Sequence, residues 1–110
     1  MEEALPFGVW LRELRVKRDL PLRVVAAAAE MDQAHLSKIE LGQRLPTEEQ
    51  TSKLASFFGV NERETEARRI VEKFRQETQD NPAAAREAIC ILAEGAGIYS
   101  GDKKGNKGSR

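Results

Sequence analysis

Between Asp32 and Gly42 the chain runs Gln33-Ala34-His35-Leu36-Ser37-Lys38-Ile39-Glu40-Leu41. At helical spacing Leu36 and Ile39 lie three apart on one side, leaving Gln33, Ala34, His35, Ser37 and Lys38 to face the other. An amide, an imidazole, a hydroxyl and an ammonium all donate or accept hydrogen bonds, so the first question is whether they do chemistry. His35 is the chain's one histidine and Cys90 its one cysteine. No Cys, Asp or Glu cluster accompanies His35 at metal-ligand spacing. There is no nucleophile–base pair, no paired acids in a plausible site and no phosphate-cradling loop. The sequence therefore points away from an enzyme and implies no metal or cofactor. The outward set is small or hydrogen-bonding and lacks the Glu/Lys alternation of an ordinary solvated face. It is a surface made to be read by something outside the protein.

The elements that would position this segment are legible on either side of it. Phe7, Leu11 and Leu14 fall at i, i+4 and i+7, which predicts a first amphipathic helix from Phe7 to Arg18. Asp19-Leu20-Pro21 interrupts it, and Pro21 suits the start of a second helix because its missing N–H needs no partner there. That helix is expected from Leu22 to Ala29, with Val25, Ala26 and Ala29 on its inner face. Ala26 and Ala29 are what a close crossing requires, since large side chains would collide where two short helices meet across a tight turn. Asp32 is positioned to cap the third helix, and Gly42 to end it in a left-handed conformation. Thr47-Glu48-Glu49-Gln50 has the pattern of a capping box opening a fourth helix that Gly59 closes after Phe58. Asn61-Glu62-Arg63-Glu64 predicts a fifth helix to about Gln79, and Asn81-Pro82 a sixth ending near Glu94-Gly95. No stretch reads as a strand.

A length of 110 residues suits one domain with an appended helix or tail. Few aromatics beside many charges favour a helical globular chain. No apolar run approaches the ~20 residues of a membrane span. The acidic Met1-Glu2-Glu3 is unlike a signal peptide, and a lone cysteine excludes an internal disulfide, so a cytoplasmic location is expected. Cys90 is expected to pack as a small core hydrophobe. Trp10, next to the Phe7/Leu11/Leu14 stripe, is expected to pack too. With 18 basic and 18 acidic residues the formal charge is zero. Any attraction to nucleic acid must come from a local arrangement of charge rather than from its total.

The segment from Leu20-Pro21-Leu22-Arg23-Val24-Val25-Ala26 to Leu36-Ser37-Lys38-Ile39-Glu40-Leu41-Gly42-Gln43-Arg44-Leu45-Pro46-Thr47 resembles the phage-repressor-like, Xre-type helix-turn-helix family. Phe7-Gly8-Val9-Trp10-Leu11-Arg12-Glu13-Leu14-Arg15 resembles that family's first helix, and Lys53 to Val60 its closing helices. The resemblance covers Phe7 to Val60 without a gap. It implies an all-α fold: a five-helix repressor-like DNA-binding domain with one additional C-terminal helix. It also implies that the third helix enters the major groove of double-stranded DNA while the second lies across the backbone. Carried over by position, Gln33, Ala34 and Lys38 read base edges, with His35 and Ser37 beside them. The chemistry agrees: a Gln amide can pair with adenine, Lys with guanine, and an Ala methyl can meet a thymine methyl. Arg23, Gln43 and Arg44 fall where phosphate contacts belong. Arg15 and Glu40 fall where the family has a buried ion pair. Two positions depart from the family pattern: Leu22 stands where Gln is common, and Glu30 where the turn usually has Gly.

Four segments follow: a lead-in over 1–6, the helix-turn-helix domain over 7–60, a helical extension over 61–95 and a disordered tail over 96–110. The tail's Lys103, Lys104, Lys107 and Arg110 form a sparse basic end. In the extension, Ala67, Ile70, Val71 and Phe74 form one apolar stripe, and Ala85, Ala88, Ile89 and Leu92 another. They either pack on each other or build a surface for a second subunit. Ile70, Phe74, Ile89 and Leu92 are the expected dimer contacts. The expected function is a transcriptional regulator, a repressor occupying a palindromic operator as a homodimer. Proteins that resemble this one often control mobile-element or restriction–modification genes. The alternative is an interaction module, such as an antitoxin, whose C-terminal helices hold a partner protein while DNA binding is secondary.

Overall fold

A computed structural model describes residues 5–96; the basic end and nearly all of the expected tail lie outside the described residues. The fold is all-helical, with α1 at Phe7–Lys17, α2 at Leu22–Ala28, α3 at Gln33–Glu40, α4 at Glu48–Phe58, α5 at Glu62–Glu77 and α6 at Pro82–Ala96. This is the expected five-helix repressor-like domain with one further helix. The described chain divides into two compact units within α5, one running through Phe74 and the other beginning at Arg75.

The first unit is built around Phe7, Leu11, Val25, Ala26, Ala29, Leu36, Ile39, Leu54 and Phe58, all buried. α2 packs against α3 and α4, and α1 against α3. Ala26 and Ala29 are buried where α2 and α3 cross, as the close approach requires. A second close approach is made by Gly8. A Cβ there would come 2.6 Å from the carbonyl oxygen of Glu40, and nearer still to that of Ile39. The first turn of α1 therefore lies directly on the C-terminal backbone of α3, and only a glycine fits. Trp10 packs half-buried against the core, its ring 5.9 Å from Phe7 and under the Arg68 guanidinium at 4.6 Å. Two buried hydroxyls are satisfied by the residue that precedes their own helix: Thr51 donates to the Thr47 carbonyl at 2.8 Å, and Thr65 to that of Asn61 at 2.7 Å.

One device ends each of the first four helices. A left-handed residue follows the helix at Asp19 (φ 55°), Glu30 (φ 57°), Gly42 (φ 81°) and Gly59 (φ 69°). Its N–H reaches back to the carbonyl three residues before it, and the next N–H reaches the carbonyl five residues before itself. At α3 these bonds are Gly42 to Ile39, 3.1 Å, and Gln43 to Lys38, 2.9 Å. This is the Schellman arrangement, which satisfies carbonyls the helix leaves unpaired. Pro21 precedes α2 as an extended residue rather than forming its first turn.

The N-terminal ends are less uniform. Thr47 and Gln50 form the full reciprocal box, both bonds at 3.0 Å. Asn61 accepts from the Glu64 N–H at 2.7 Å, but the Glu64 carboxylate turns to Arg68. Asn81 accepts from Ala84 N–H at the start of α6, with Pro82 as the first helical residue. Asp32 corrects the sequence expectation. It occupies the capping position with an extended backbone, yet its carboxylate makes no capping hydrogen bond. The start of α3 thus carries an exposed acid that does not cap the helix.

On α5 the apolar stripe is not the side that the rest of the first unit covers. Thr65 and Glu72 are buried and Arg68 and Arg69 half-buried, whereas Ala67, Ile70 and Val71 face solvent. Glu72 accepts from the Phe7 N–H at 3.4 Å, supplying an acceptor to the N-terminus of α1, which Pro6 cannot cap. The polar side of α5 thus serves the first unit. On α6 Ile89, Ile91 and Leu92 are exposed, as is Cys90, which is therefore not the core residue the sequence led one to expect.

The Arg15–Glu40 pair takes the expected place. Arg15 Nε donates to Glu40 Oε2 at 2.8 Å and its second nitrogen to Oε1 at 3.0 Å, a bidentate fork. A third donor reaches the Leu20 carbonyl at 2.9 Å. The hydrogen bonds to Glu40 raise the guanidinium's pKa against the opposing effect of burial, so Arg15 stays charged. Glu40→Ala strands that charge, and the expected cost is about 3 kcal/mol, the lower end for a buried pair because Arg15 keeps some exposure. Thermal unfolding followed by circular dichroism checks this; an unchanged melting temperature removes the pair from the account of stability.

Glu30 gives the opposite expectation. A side chain in the left-handed region costs of order 1 kcal/mol, while its ion pair to Lys53 is exposed, and such pairs contribute little. The backbone term wins, so Glu30→Gly is expected to melt a few degrees higher than the parent. A lower melting temperature would mean that the Lys53 contact holds the turn.

Candidate nucleic-acid interface

α3 is fixed on one side only. Leu36, Ile39 and Glu40 are buried beneath it. At about 100° per residue, Ala34 and Lys38 come up on the opposite side, and both are exposed. Gln33, in the first turn, is exposed as well. His35 and Ser37 lie on the flanks of the helix and are half-buried. Of the five residues carried over as base readers, then, three stand clear of the protein and two are partly covered by it.

The other predicted contacts surround this face. Arg23 is exposed on the first turn of α2. Gln43 and Arg44 are exposed just past Gly42, which redirects the chain at the end of α3. Pro46 is fully buried and anchors the segment after Arg44 before Thr47 opens α4. The chain thus leaves α3 through a left-handed residue and is pinned again four residues later, holding Arg44 in a short fixed loop.

Glu30, the acidic residue at the turn between α2 and α3, is partnered. Lys53 Nζ lies 2.9 Å from its carboxylate and 3.3 Å from that of Glu49. The ammonium's pKa is pushed up, first by the hydrogen bond to Glu30 and further by the one to Glu49. The negative charge that the departure from glycine places at the turn is therefore met by a cation from α4. Sequence reasoning missed Lys53 in this role; nothing in the local pattern joins residues 23 apart.

The expected dimer residues are distributed over both units. Ile70 is exposed on α5 and Phe74 half-buried near its end; Ile89 and Leu92 are exposed on α6. Among the described residues no group of three or more His, Cys, Asp or Glu side chains could hold a metal ion, and no helix is long and apolar enough to cross a membrane.

Comparison with known proteins agrees with this architecture. A family model described as a helix-turn-helix domain matches residues 6–67, from just before α1 into α5. A 50-residue stretch is 42% identical to the HTH-type transcriptional regulator DdrOP3 of Deinococcus deserti, covering 46% of this chain and 39% of that protein. The chain thus aligns with well under half the length of this relative. No solved structure matches. The family match embraces α1 to α4 and both halves of the Arg15–Glu40 fork, and the chain belongs to the helix-turn-helix domain family.

Proposed function

We propose that this protein is a sequence-specific DNA-binding transcriptional regulator that reads the major groove with α3. The observation that carries the reading is the free face of that helix. Ala34 and Lys38 are exposed opposite the packed side, Gln33 is exposed in the first turn, and none of them is acidic. A helix held rigidly from behind, with amide, methyl and ammonium groups in front, matches the donor, acceptor and methyl pattern of base pairs. Exposed Arg23, Gln43 and Arg44 flank it with groups suited to phosphate. The relationship to a protein named as a transcriptional regulator supports the same conclusion.

Selection from a random duplex library tests the reading and supplies the operator. On the selected duplex, Lys38→Ala is expected to cost about 1–3 kcal/mol and to relax one base position. Arg44→Ala should instead weaken binding to all sequences alike. Equal losses on selected and random DNA for both variants would show that α3 does not read bases.

We further propose that the protein acts as a homodimer on a palindromic site and represses by occupying a promoter. One such domain reads few base pairs, and a dimer gains by reading two half-sites about 34 Å apart. Exposed Ile70, Ile89 and Leu92 support an interface through the C-terminal helices, since burying each such side chain yields about 1.5–3 kcal/mol. Light scattering is expected to give twice the chain mass at micromolar concentration; a monomer mass ends the idea. The same exposed residues on α6 favour a second reading, in which they hold a partner protein and DNA binding is autoregulatory. The two differ in salt response, because phosphate neutralisation makes affinity fall steeply with salt and an apolar contact does not.

A further inference from the structure

We propose that Leu41 is a specificity-determining residue of the α3 face, reading the methyl group of a thymine; this rests on the DNA-binding reading above. Leu41 is 68% exposed, as high as any large hydrophobic among the described residues. Isolated exposed leucines are common and need no explanation by themselves. This one is distinguished by where it stands. Its backbone is still right-handed (φ −84°, ψ −2°), and its N–H completes the helical bond to the Ser37 carbonyl at 3.1 Å. Its side chain therefore continues the α3 pattern rather than belonging to the loop. At i, i+4 and i+7, Ala34, Lys38 and Leu41 form one row along the helix. With Leu36, Ile39 and Glu40 buried on the far side, Leu41 lies at the middle of the free face, between the directions of Ala34 and Ser37.

Among the described residues the chain does not return to cover it. Gly42 takes φ 81° directly after Leu41 and turns the backbone away. A duplex that lies along Ala34 and Lys38 meets Leu41 in the same row. Leucine neither donates nor accepts a hydrogen bond, so what it can recognise on a base edge is apolar. In the major groove that group is the thymine methyl, which distinguishes T from C at the same position. Leu41 adds an apolar contact one turn beyond Lys38.

The test uses the full chain and the duplex it selects from a random library. Each thymine is replaced in turn by deoxyuridine, which lacks only the methyl group, and affinity is measured by fluorescence anisotropy. The parent protein is expected to lose about three- to fivefold at one thymine, the contribution of burying a single methyl. Leu41→Ala should bind the thymine and uracil duplexes equally at that position, while its response at every other position matches the parent. Lys38→Ala should keep the methyl sensitivity that Leu41→Ala loses. If Leu41→Ala retains the parent's full thymine-to-uracil profile, Leu41 reads no methyl and the proposal is overturned. It is equally overturned if Leu41→Ala changes the mass by light scattering, which would place the residue between copies of the chain. Selection of no duplex by the parent protein would instead overturn the DNA-binding reading itself.

Discussion

The orientation of α3 depends on how its C-terminal end is held against α1. Arg15 grips Glu40 with two hydrogen bonds, and two residues' worth of α3 carbonyls rest on Gly8. These restraints differ in kind. The fork needs both partners present, since a single buried charge costs more than the pair contributes. The glycine contact is steric, and a single added methyl would force the backbones apart. Leu36 and Ile39 supply most of the apolar burial on α3, but burial is non-directional and would tolerate some rotation of a helix this short. The fork and the glycine remove that freedom. They fix which residues face out, and so determine the free face on which any readout depends.

How legible this was in the sequence varied with the physical signal. Gly42 and Gly59 announced the ends of α3 and α4 because glycine is the usual occupant of a left-handed position. Asp19 and Glu30 end α1 and α2 by the same pair of hydrogen bonds, yet their residue types conceal it. The bonds are made by backbone groups that every residue possesses, so the motif is set by context once a core has formed on both sides. Asp32 shows the converse: a side chain competent to cap occupies the capping position and does not cap. Propensity names what a residue can do, and tertiary geometry chooses.

On α5 periodicity marks an apolar stripe without saying what covers it. Its stripe of Ala67, Ile70 and Val71 is real, but periodicity cannot say which side meets the rest of the chain. The first unit takes the polar side, where Glu72 reaches the Phe7 N–H and Arg68 stacks on Trp10. These contacts join residues some 60 positions apart and leave no local trace. Phe7 needs an external acceptor because Pro6 cannot provide a side-chain cap, and the helix that could supply one is α5. The consequence is an outward apolar row on α5; in the second unit Ile89, Ile91 and Leu92 of α6 are exposed too. Each of these exposed apolar rows gains by being covered. The exposure of Gln33, Ala34 and Lys38 was more legible, since Leu36 and Ile39, three apart, mark the side of a short helix that is buried.

The charge balance bears on how such a domain can discriminate. A strongly basic protein is drawn to any duplex, and its specific binding must rise above a large non-specific background. Here the total formal charge is zero, and the acid at the α2–α3 turn is tied to Lys53 rather than left facing outward alone. On the DNA-binding reading the cations placed beside the free face among the described residues are Arg23, Lys38 and Arg44. The remaining binding free energy has to come from short-range contacts on α3, which depend steeply on fit. A face of amide, methyl, leucine and ammonium groups provides such contacts with one positive charge among them. On the proposed reading, weak general affinity and a rigidly held α3 are two sides of one arrangement: the restraints that orient α3 would let its few contacts distinguish one sequence from another.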